Sequence, residues 1–155
     1  MNIWTDGSYH AEEHKIGLAS IVTTITEQYL NTTKFRSSDN TISSTAAEIE
    51  AILVSLIDKP TYSVIHQHTD SQTTIDNINS FTNPNISDSH RLKITNDVRL
   101  HAVTTEFHRF THPPTLNKVK AHSGLRFNDL ADKEAKLGRS LTNIPHIDFR
   151  RYTTS

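Results

Sequence analysis

Four carboxylates stand where a fold could bring them together: Asp6, Glu48, Asp70 and Asp132. Asp6 ends an apolar run and precedes a Gly-Ser pair, which is typical of the carboxyl end of a strand. Grouped carboxylates repel one another unless they are protonated or bridged by cations. Their oxygens suit Mg²⁺ and Mn²⁺, and two such ions about 3.5–4 Å apart can activate water for phosphodiester hydrolysis. The four together therefore favour a metal-dependent hydrolytic site.

Each carboxylate also has a structural alternative. Asp6 could begin a turn, and Asp70 could cap the helix expected to follow it. Glu48 could bond back to the amide of Thr45 in a capping box, and Asp132 could pair with the lysine four residues later. Taken singly, these roles are favoured at least as strongly as catalysis, so the case for a metal site depends on convergence.

Composition narrows the class of protein. The chain has 155 residues, a formal net charge of −1 and no cysteine. That length suits one domain, and the absence of cysteine excludes disulfides and thiolate metal sites. The sequence has neither a membrane-spanning apolar run nor a signal-peptide pattern, so we expect an intracellular protein. Because the net charge provides no attractive field, phosphate binding would need local basic groups or bound cations.

The pattern of elements predicts an α/β fold. A five-stranded mixed sheet is expected, antiparallel in its first three strands, joined by right-handed crossovers afterwards and flanked by helices. If the first and fourth strands are parallel neighbours, Asp6 and Asp70 share one edge. A polar tail is expected over 139–155. The predicted strands are 2–8, 16–24, 27–36, 62–69 and 116–120, and the predicted helices are 43–58, 70–78, 89–107 and 126–137, with a loop over 79–88.

Four segments carry a resemblance to a known family. They are 3–8 (IWTDGS), 45–52 (TAAEIEAI), 69–72 (TDSQ) and 119–132 (VKAHSGLRFNDLAD). In order, in spacing and in the elements that they occupy, they resemble type 1 ribonuclease H. The resemblance covers roughly residues 2–138, which we take as the ribonuclease H domain. It implies the ribonuclease H-like fold and a metal-dependent endonuclease.

The resemblance implies a substrate, a mechanism and a set of site residues. The enzyme would hydrolyse the RNA strand of RNA–DNA hybrids by a two-metal-ion mechanism, leaving 3′-hydroxyl and 5′-phosphate ends. Asp6, Glu48, Asp70 and Asp132 would hold two Mg²⁺ ions, with Mn²⁺ as a substitute, and His122 would act beside them. A monomer is expected, and the compact form resembles domains within reverse-transcriptase polyproteins of mobile elements.

The resemblance also indicates residues that would contact the nucleic acid. They are Ser8, Ser43, Ser44, Thr45, Ser71, Gln72 and Asn128. Basic candidates for phosphate contacts are Lys34, Arg36, Lys93, Arg99, Lys118 and Lys120, most of which also fit solvated surface charges. The sequence departs from the family at the glycine-poor loop 10–15, at Ala121 and at Phe127, which we expect to affect rate. A non-catalytic binding module and a DNA nuclease or integrase of the same superfamily remain as alternatives.

Overall fold

The computed structural model describes residues 1–37, 43–83, 85, 87, 97–122, 124–142 and 152. Its strands are β1 (Asn2–His10), β2 (Lys15–Thr23), β3 (Tyr29–Arg36), β4 (His66–Thr69) and β5 (Thr115–Lys118). Its helices are α1 (Ser44–Ile57), α2 (Gln72–Thr82), α3 (Asp97–Arg109) and α4 (Arg126–Gly138). Among the described residues, no helix is long and apolar enough to cross a membrane.

The strands form one mixed sheet in the order β3-β2-β1-β4-β5. β2 pairs antiparallel with both β1 and β3, whereas β4 lies parallel to β1 and β5 parallel to β4. The predicted fold class is thereby confirmed. Because β1, β4 and β5 are parallel, their carboxyl ends meet at one edge of the sheet, with β1 at its centre.

The two faces of the sheet bury different cores. Alternate residues of a strand point to opposite faces, so Ile3 and Trp4 of β1 belong to separate clusters. Ile3 packs with residues of α1 and α3, including Leu53 and Leu100. Trp4 packs with Phe127 and its neighbours on α4. Helices therefore cover both faces of β1 and can present side chains to its carboxyl end from either side.

Three glycines, Gly7, Gly17 and Gly138, allow close packing of helices on the sheet. A Cβ on Gly7 would overlap the backbone of Ala47, so α1 lies directly against β1. A Cβ on Gly138 would lie 2.7 Å from the carbonyl oxygen of Phe35. α4 includes Gly138 and is capped by Arg139, so this glycine serves close contact with the sheet and not the helix termination expected of it.

Several element boundaries differ from prediction. β4 is only four residues long, because the amide of Ser63 bonds to the carbonyl of Pro60 in a turn and leaves Tyr62 and Val64 exposed. α2 continues to Thr82, so the loop that we predicted over 79–88 begins later than expected. α3 is described from Asp97, and the predicted start of that helix, 89–96, lies outside the described residues.

One residue of the segment expected to be a polar tail lies in the core. Tyr152 is 3% exposed and packs in the cluster shared by α1 and α3. Its hydroxyl donates a hydrogen bond to Oε1 of the buried Glu106 at 2.9 Å. The residues at 143–151 and 153–155 lie outside the described part of the chain.

Candidate active site

Three carboxylates from three different elements converge at the carboxyl edge of the sheet. Asp6 lies on β1, Glu48 near the start of α1, and Asp70 directly after β4. Each offers one carboxylate oxygen, and these three oxygens lie within 4.8 Å of one another. Asp6 and Glu48 are buried, at 5% and 7% exposure, while Asp70 is partly buried. The group therefore has the donors and the spacing to hold a cation.

The local sequence explains why these side chains meet. The parallel pairing of β1 with β4 comprises three pairs and ends at Trp4 and His68. Asp6 and Asp70 each lie two residues beyond that last pair, where a gap can open between the strands. Gly7 admits the backbone of α1 at this point, which carries Glu48 to the same place.

The helix-capping roles considered for Glu48 and Asp70 belong to other residues. Ser43 caps α1, and its side chain accepts a hydrogen bond from the amide of Ala46 at 3.0 Å. Ser71 caps α2 by accepting from the amide of Thr74 at 3.2 Å. The capping box and the Asp70 cap, both considered as alternatives, are therefore not what the structure adopts. Neither carboxylate is needed to begin a helix.

Burial and mutual repulsion make it unfavourable for these carboxylates to be ionised together without a cation. Burial raises the pKa of Asp6 to about 7; the hydrogen bond with Glu48 opposes this shift, and the charges of Asp70 and Asp132 add to it. Burial, together with the charge of Asp6, raises the pKa of Glu48 well above its usual range. Oε2 of Glu48 is buried and has no hydrogen-bond partner among the described residues. A divalent cation would satisfy that oxygen and neutralise the repulsion, so the donor set fits such an ion.

Asp132 joins the group from the opposite face of the sheet. It lies on α4 and is close enough to raise the pKa of Asp6 through charge and hydrogen bonding. It is not among the three residues whose carboxylate oxygens lie within 4.8 Å of one another. Its Oδ2 is 3.0 Å from Nζ of Lys136, which confirms the ion pair expected at this helical spacing. Asp132 thus has a structural partner and also faces the acid group.

Comparison with known proteins identifies the family. The family model described as RNase H matches residues 1–140. The chain belongs to the RNase H family. A search of curated proteins with this sequence found no match. The family match confirms the family assignment and the ribonuclease H activity predicted from the four motifs, and it supports an RNA–DNA hybrid as substrate. The family uses divalent metal ions, and Asp6, Glu48 and Asp70 offer the donors for such an ion.

His122 of this RNase H is exposed and lies between β5 and α4. Its φ of 52° is in the left-handed region, which few residues other than glycine adopt without strain. The amide of Val119 bonds to the carbonyl of Thr69 at 2.9 Å, tying the start of this segment to the end of β4. Phe127 packs against Trp4 with ring centroids 5.9 Å apart, anchoring its other end. The start of this segment is therefore tied next to Asp70, and the helix that follows it is anchored on Trp4.

The residues expected to contact nucleic acid differ in their solvent exposure and in the hydrogen bonds that they already make. Ser44 and Gln72 are exposed, although the Gln72 amide donates to Asp76 at 2.8 Å. The hydroxyls of Ser43 and Ser71 accept the capping bonds described above. Asn128 is 3% exposed. Ser8 and Thr45 are partly buried.

Two of the basic candidates, Lys34 and Arg99, lie beside a glutamate. Lys34 pairs with Glu134 at 2.8 Å, and Arg99 is buried with its Nε 3.6 Å from a carboxylate oxygen of Glu50. Lys118 and Lys120 are exposed at the carboxyl end of β5, whereas Arg36 is partly buried. Lys93 lies outside the described residues.

Two side chains of β4, His68 and Gln67, have surroundings that the sequence analysis did not predict. His68 stacks on Trp4 with centroids 4.0 Å apart, and burial lowers its pKa to about 4, assisted by the charge of His66. Gln67 is completely buried on the other face of the strand. Gln67 alternates with Ile65 and Thr69 on one face of the strand, and this alternation is the pattern that indicates its burial.

Proposed function

We propose that this RNase H hydrolyses the RNA strand of RNA–DNA hybrids with two divalent ions, Mg²⁺ in the cell and Mn²⁺ as a substitute. The products would carry 3′-hydroxyl and 5′-phosphate ends. The observation that carries the proposal is the convergence of Asp6, Glu48 and Asp70, together with a buried oxygen of Glu48 that has no hydrogen-bond partner in the described part of the chain. Such an arrangement is unfavourable without a cation and suited to one that prefers oxygen ligands.

The acids would divide the work of holding metal. Asp6, Glu48 and Asp70 form the tighter set, and Asp132 would contribute from α4 while Lys136 orients it. When bound, the ions supply an activated water and stabilise the leaving oxygen. Burial of Asp6 and Glu48 keeps these ligands rigid. We assign His122 to proton transfer at the leaving 3′ oxygen, since it is exposed on the segment beside Asp70.

Recognition of the hybrid would use the polar groups around this edge of the sheet. The minor groove of a hybrid displays the 2′-hydroxyls that distinguish RNA from DNA. Short polar side chains can approach those hydroxyls closely, and several lie at the starts of α1 and α2. We assign this role to Ser8, Ser43, Ser44, Thr45, Ser71, Gln72 and Asn128.

The remaining organisation follows the same resemblance. We propose that residues 2–138 form the ribonuclease H domain, that it acts as an intracellular monomer, and that its compact form belongs with reverse-transcriptase polyproteins. The burial of Tyr152 supports a contribution to this domain from the segment 139–155. Sedimentation at micromolar concentration tests the oligomeric state; a dimer would contradict it.

The test is cleavage of a hybrid whose RNA strand is end-labelled, in Mg²⁺. Wild type should cut the hybrid and leave single-stranded RNA, duplex RNA and duplex DNA intact. Asp70→Asn should lose at least about a hundredfold in rate, because removing a ligand of catalytic metal also removes the charge that holds it. Asp58→Asn, an exposed aspartate at the end of α1, is the matched control and should cut like wild type.

Two outcomes would overturn the proposal. Equal and negligible cutting by wild type and Asp70→Asn, with the hybrid still bound, would indicate a non-catalytic binding module. Preferential cutting of duplex DNA would indicate a nuclease of the same superfamily with a different substrate.

A further inference from the structure

A small group of polar side chains lies buried between the three elements that carry the converging acids. Gln67 of β4 and Thr5 of β1 are both 0% exposed, and Ser55 of α1 is 2% exposed. Nε2 of Gln67 donates to Oγ1 of Thr5 at 2.8 Å. Oγ of Ser55 lies 3.4 Å from Oε1 of Gln67. One side chain therefore contacts β1 and α1 from β4.

These polar groups are buried at positions where an apolar side chain would need no hydrogen-bond partner. They lie beside the main apolar cluster, which includes the flanking residues Ile3 and Ile65. A buried amide must keep its hydrogen bonds, because an unpaired one is strongly unfavourable in such surroundings. A glutamine at this position therefore fixes the relative placement of its partners in a way that a leucine or methionine would not.

The bond is formed where the two strands begin to separate. Gln67 is paired with Ile3 in the parallel ladder, which ends one step later at Trp4 and His68. The Gln67 side chain reaches forward to Thr5, beyond the last pair. The hydroxyl of Thr5 in turn approaches the carbonyl oxygen of His68 at 3.5 Å. These side-chain contacts hold β1 and β4 together immediately before the gap between Asp6 and Asp70.

Gln67 acts from the face away from the substrate. Residues 67 and 69 of β4 point to the α1 side, whereas Asp70 follows the alternation of His66 and His68 on the other side. Gln67 is completely buried and so cannot reach a nucleic acid. Any influence on the reaction must pass through the backbone positions of Asp6 and Asp70.

We propose that Gln67 is a positioning residue for the metal site. With Thr5 and Ser55, it sets the separation of Asp6 and Asp70 and thereby the affinity for the divalent ion. This inference depends on the proposed function only in assigning a metal to the acid group. It adds a determinant of affinity that lies outside the four carboxylates.

The test is Mn²⁺ titration of the metal-free protein by calorimetry, alongside hybrid cleavage. Gln67→Met and Thr5→Val remove the hydrogen bond while keeping side-chain volume. Each should weaken Mn²⁺ binding about tenfold, as expected for a group that orients metal ligands. The KM for the hybrid should stay within about twofold of wild type, because no substrate contact is lost. Thr5→Ser keeps the hydroxyl that Thr5→Val removes, and its Mn²⁺ affinity should equal that of wild type.

A matched core variant separates positioning from general stability. Ile78 is buried in the main apolar cluster and lies on α2, so Ile78→Val should lower the urea midpoint with Mn²⁺ affinity unchanged. Wild-type Mn²⁺ affinity in Thr5→Val and Gln67→Met would overturn the inference, as would equal weakening in Ile78→Val. If Gln67→Met fails to fold, the Thr5→Val and Thr5→Ser pair decides.

The wild-type protein distinguishes failure of this inference from failure of the proposed function. Mn²⁺ binding without hybrid cleavage would reject the nuclease proposal, while the affinities of the variants would still decide the role of Gln67. Absence of Mn²⁺ binding by wild type would overturn both.

Discussion

Gly7 of β1 lies against the backbone of Ala47 in α1, with no room between them for a side chain. This contact places Glu48 beside Asp6. It links a local property of one residue to the assembly of the acid group, because any larger side chain would push α1 away from the strand.

Gly7→Ala should therefore damage both stability and metal binding. Overpacking at such a contact costs about 1–3 kcal/mol, and displacement of Glu48 should weaken Mn²⁺ affinity at least tenfold. Urea unfolding and calorimetry measure the two effects. Gly124→Ala is the control: its Cβ meets nothing within 4 Å, although its φ of +80° makes alanine strained by about 1 kcal/mol. It should lose stability with little loss of Mn²⁺ affinity; the reverse order of affinities would contradict the account.

The acid group should make stability depend on pH and on metal. Since the pKa of Asp6 is raised from 3.8 to about 7, the folded state holds this proton to higher pH than the unfolded state does. Its contribution to stability is complete below about pH 4 and is lost as pH rises through 7. In EDTA, the free energy of unfolding should therefore fall between pH 5 and 8, by on the order of 2 kcal/mol. Mg²⁺ should restore stability at pH 8.

Asp6→Asn isolates this effect from other titrating groups. In EDTA at pH 8 it should be more stable than wild type, because a buried charge has been removed. It should gain much less than wild type from Mg²⁺. Denaturant unfolding with and without metal provides both comparisons, and a variant less stable than wild type at pH 8 in EDTA would refute the electrostatic argument.

Tyr152 should contribute to the stability of the domain. Tyr152→Phe removes the hydrogen bond to buried Glu106 and should cost about 1–3 kcal/mol, while Tyr152→Ala should cost about 3–5 kcal/mol. Tyr62→Ala, at a tyrosine 78% exposed, should change stability by less than about 0.5 kcal/mol. Equal midpoints for Tyr152→Ala and wild type in urea would show that the C-terminal segment does not anchor the fold.

Replacement of His122 should lower the turnover number without changing the affinity for metal. His122→Ala should lower kcat by about 10²-fold, within the usual range for a proton-transferring group. Its Mn²⁺ affinity and KM should remain close to wild type, since the exposed imidazole is assigned to neither. His112→Ala, at another exposed histidine, is the control. A loss of Mn²⁺ affinity in His122→Ala would instead place this residue among the groups that organise the metal site.

The sequence predicted the sheet, the family and three converging acids, because each acid follows a strong local pattern. Asp6 follows the apolar start of β1 and lies just beyond its pairing with β4, although the strand continues to His10 instead of ending near Asp6 as expected. Asp70 directly follows the short strand β4, and Glu48 lies on the most periodic helix. The capping box considered for Thr45 and Glu48 was wrong, because Ser43 caps α1 two residues earlier.

Other features depended on tertiary context. Tyr62 and Val64 have strand propensity, yet a turn from Pro60 keeps them out of the ladder. Tyr152 stands alone in a polar segment, so no periodicity marked it as buried. Gln67 resembled any polar strand residue until the partners on β1 and α1 were known.

The location of bound metal tests the central claim most directly. An anomalous difference map from crystals grown with Mn²⁺ should show an ion in contact with Asp6, Glu48 and Asp70, with Asp132 facing a second position. Mn²⁺ bound elsewhere, with the carboxylates of Asp6 and Glu48 still paired only with each other, would contradict the account.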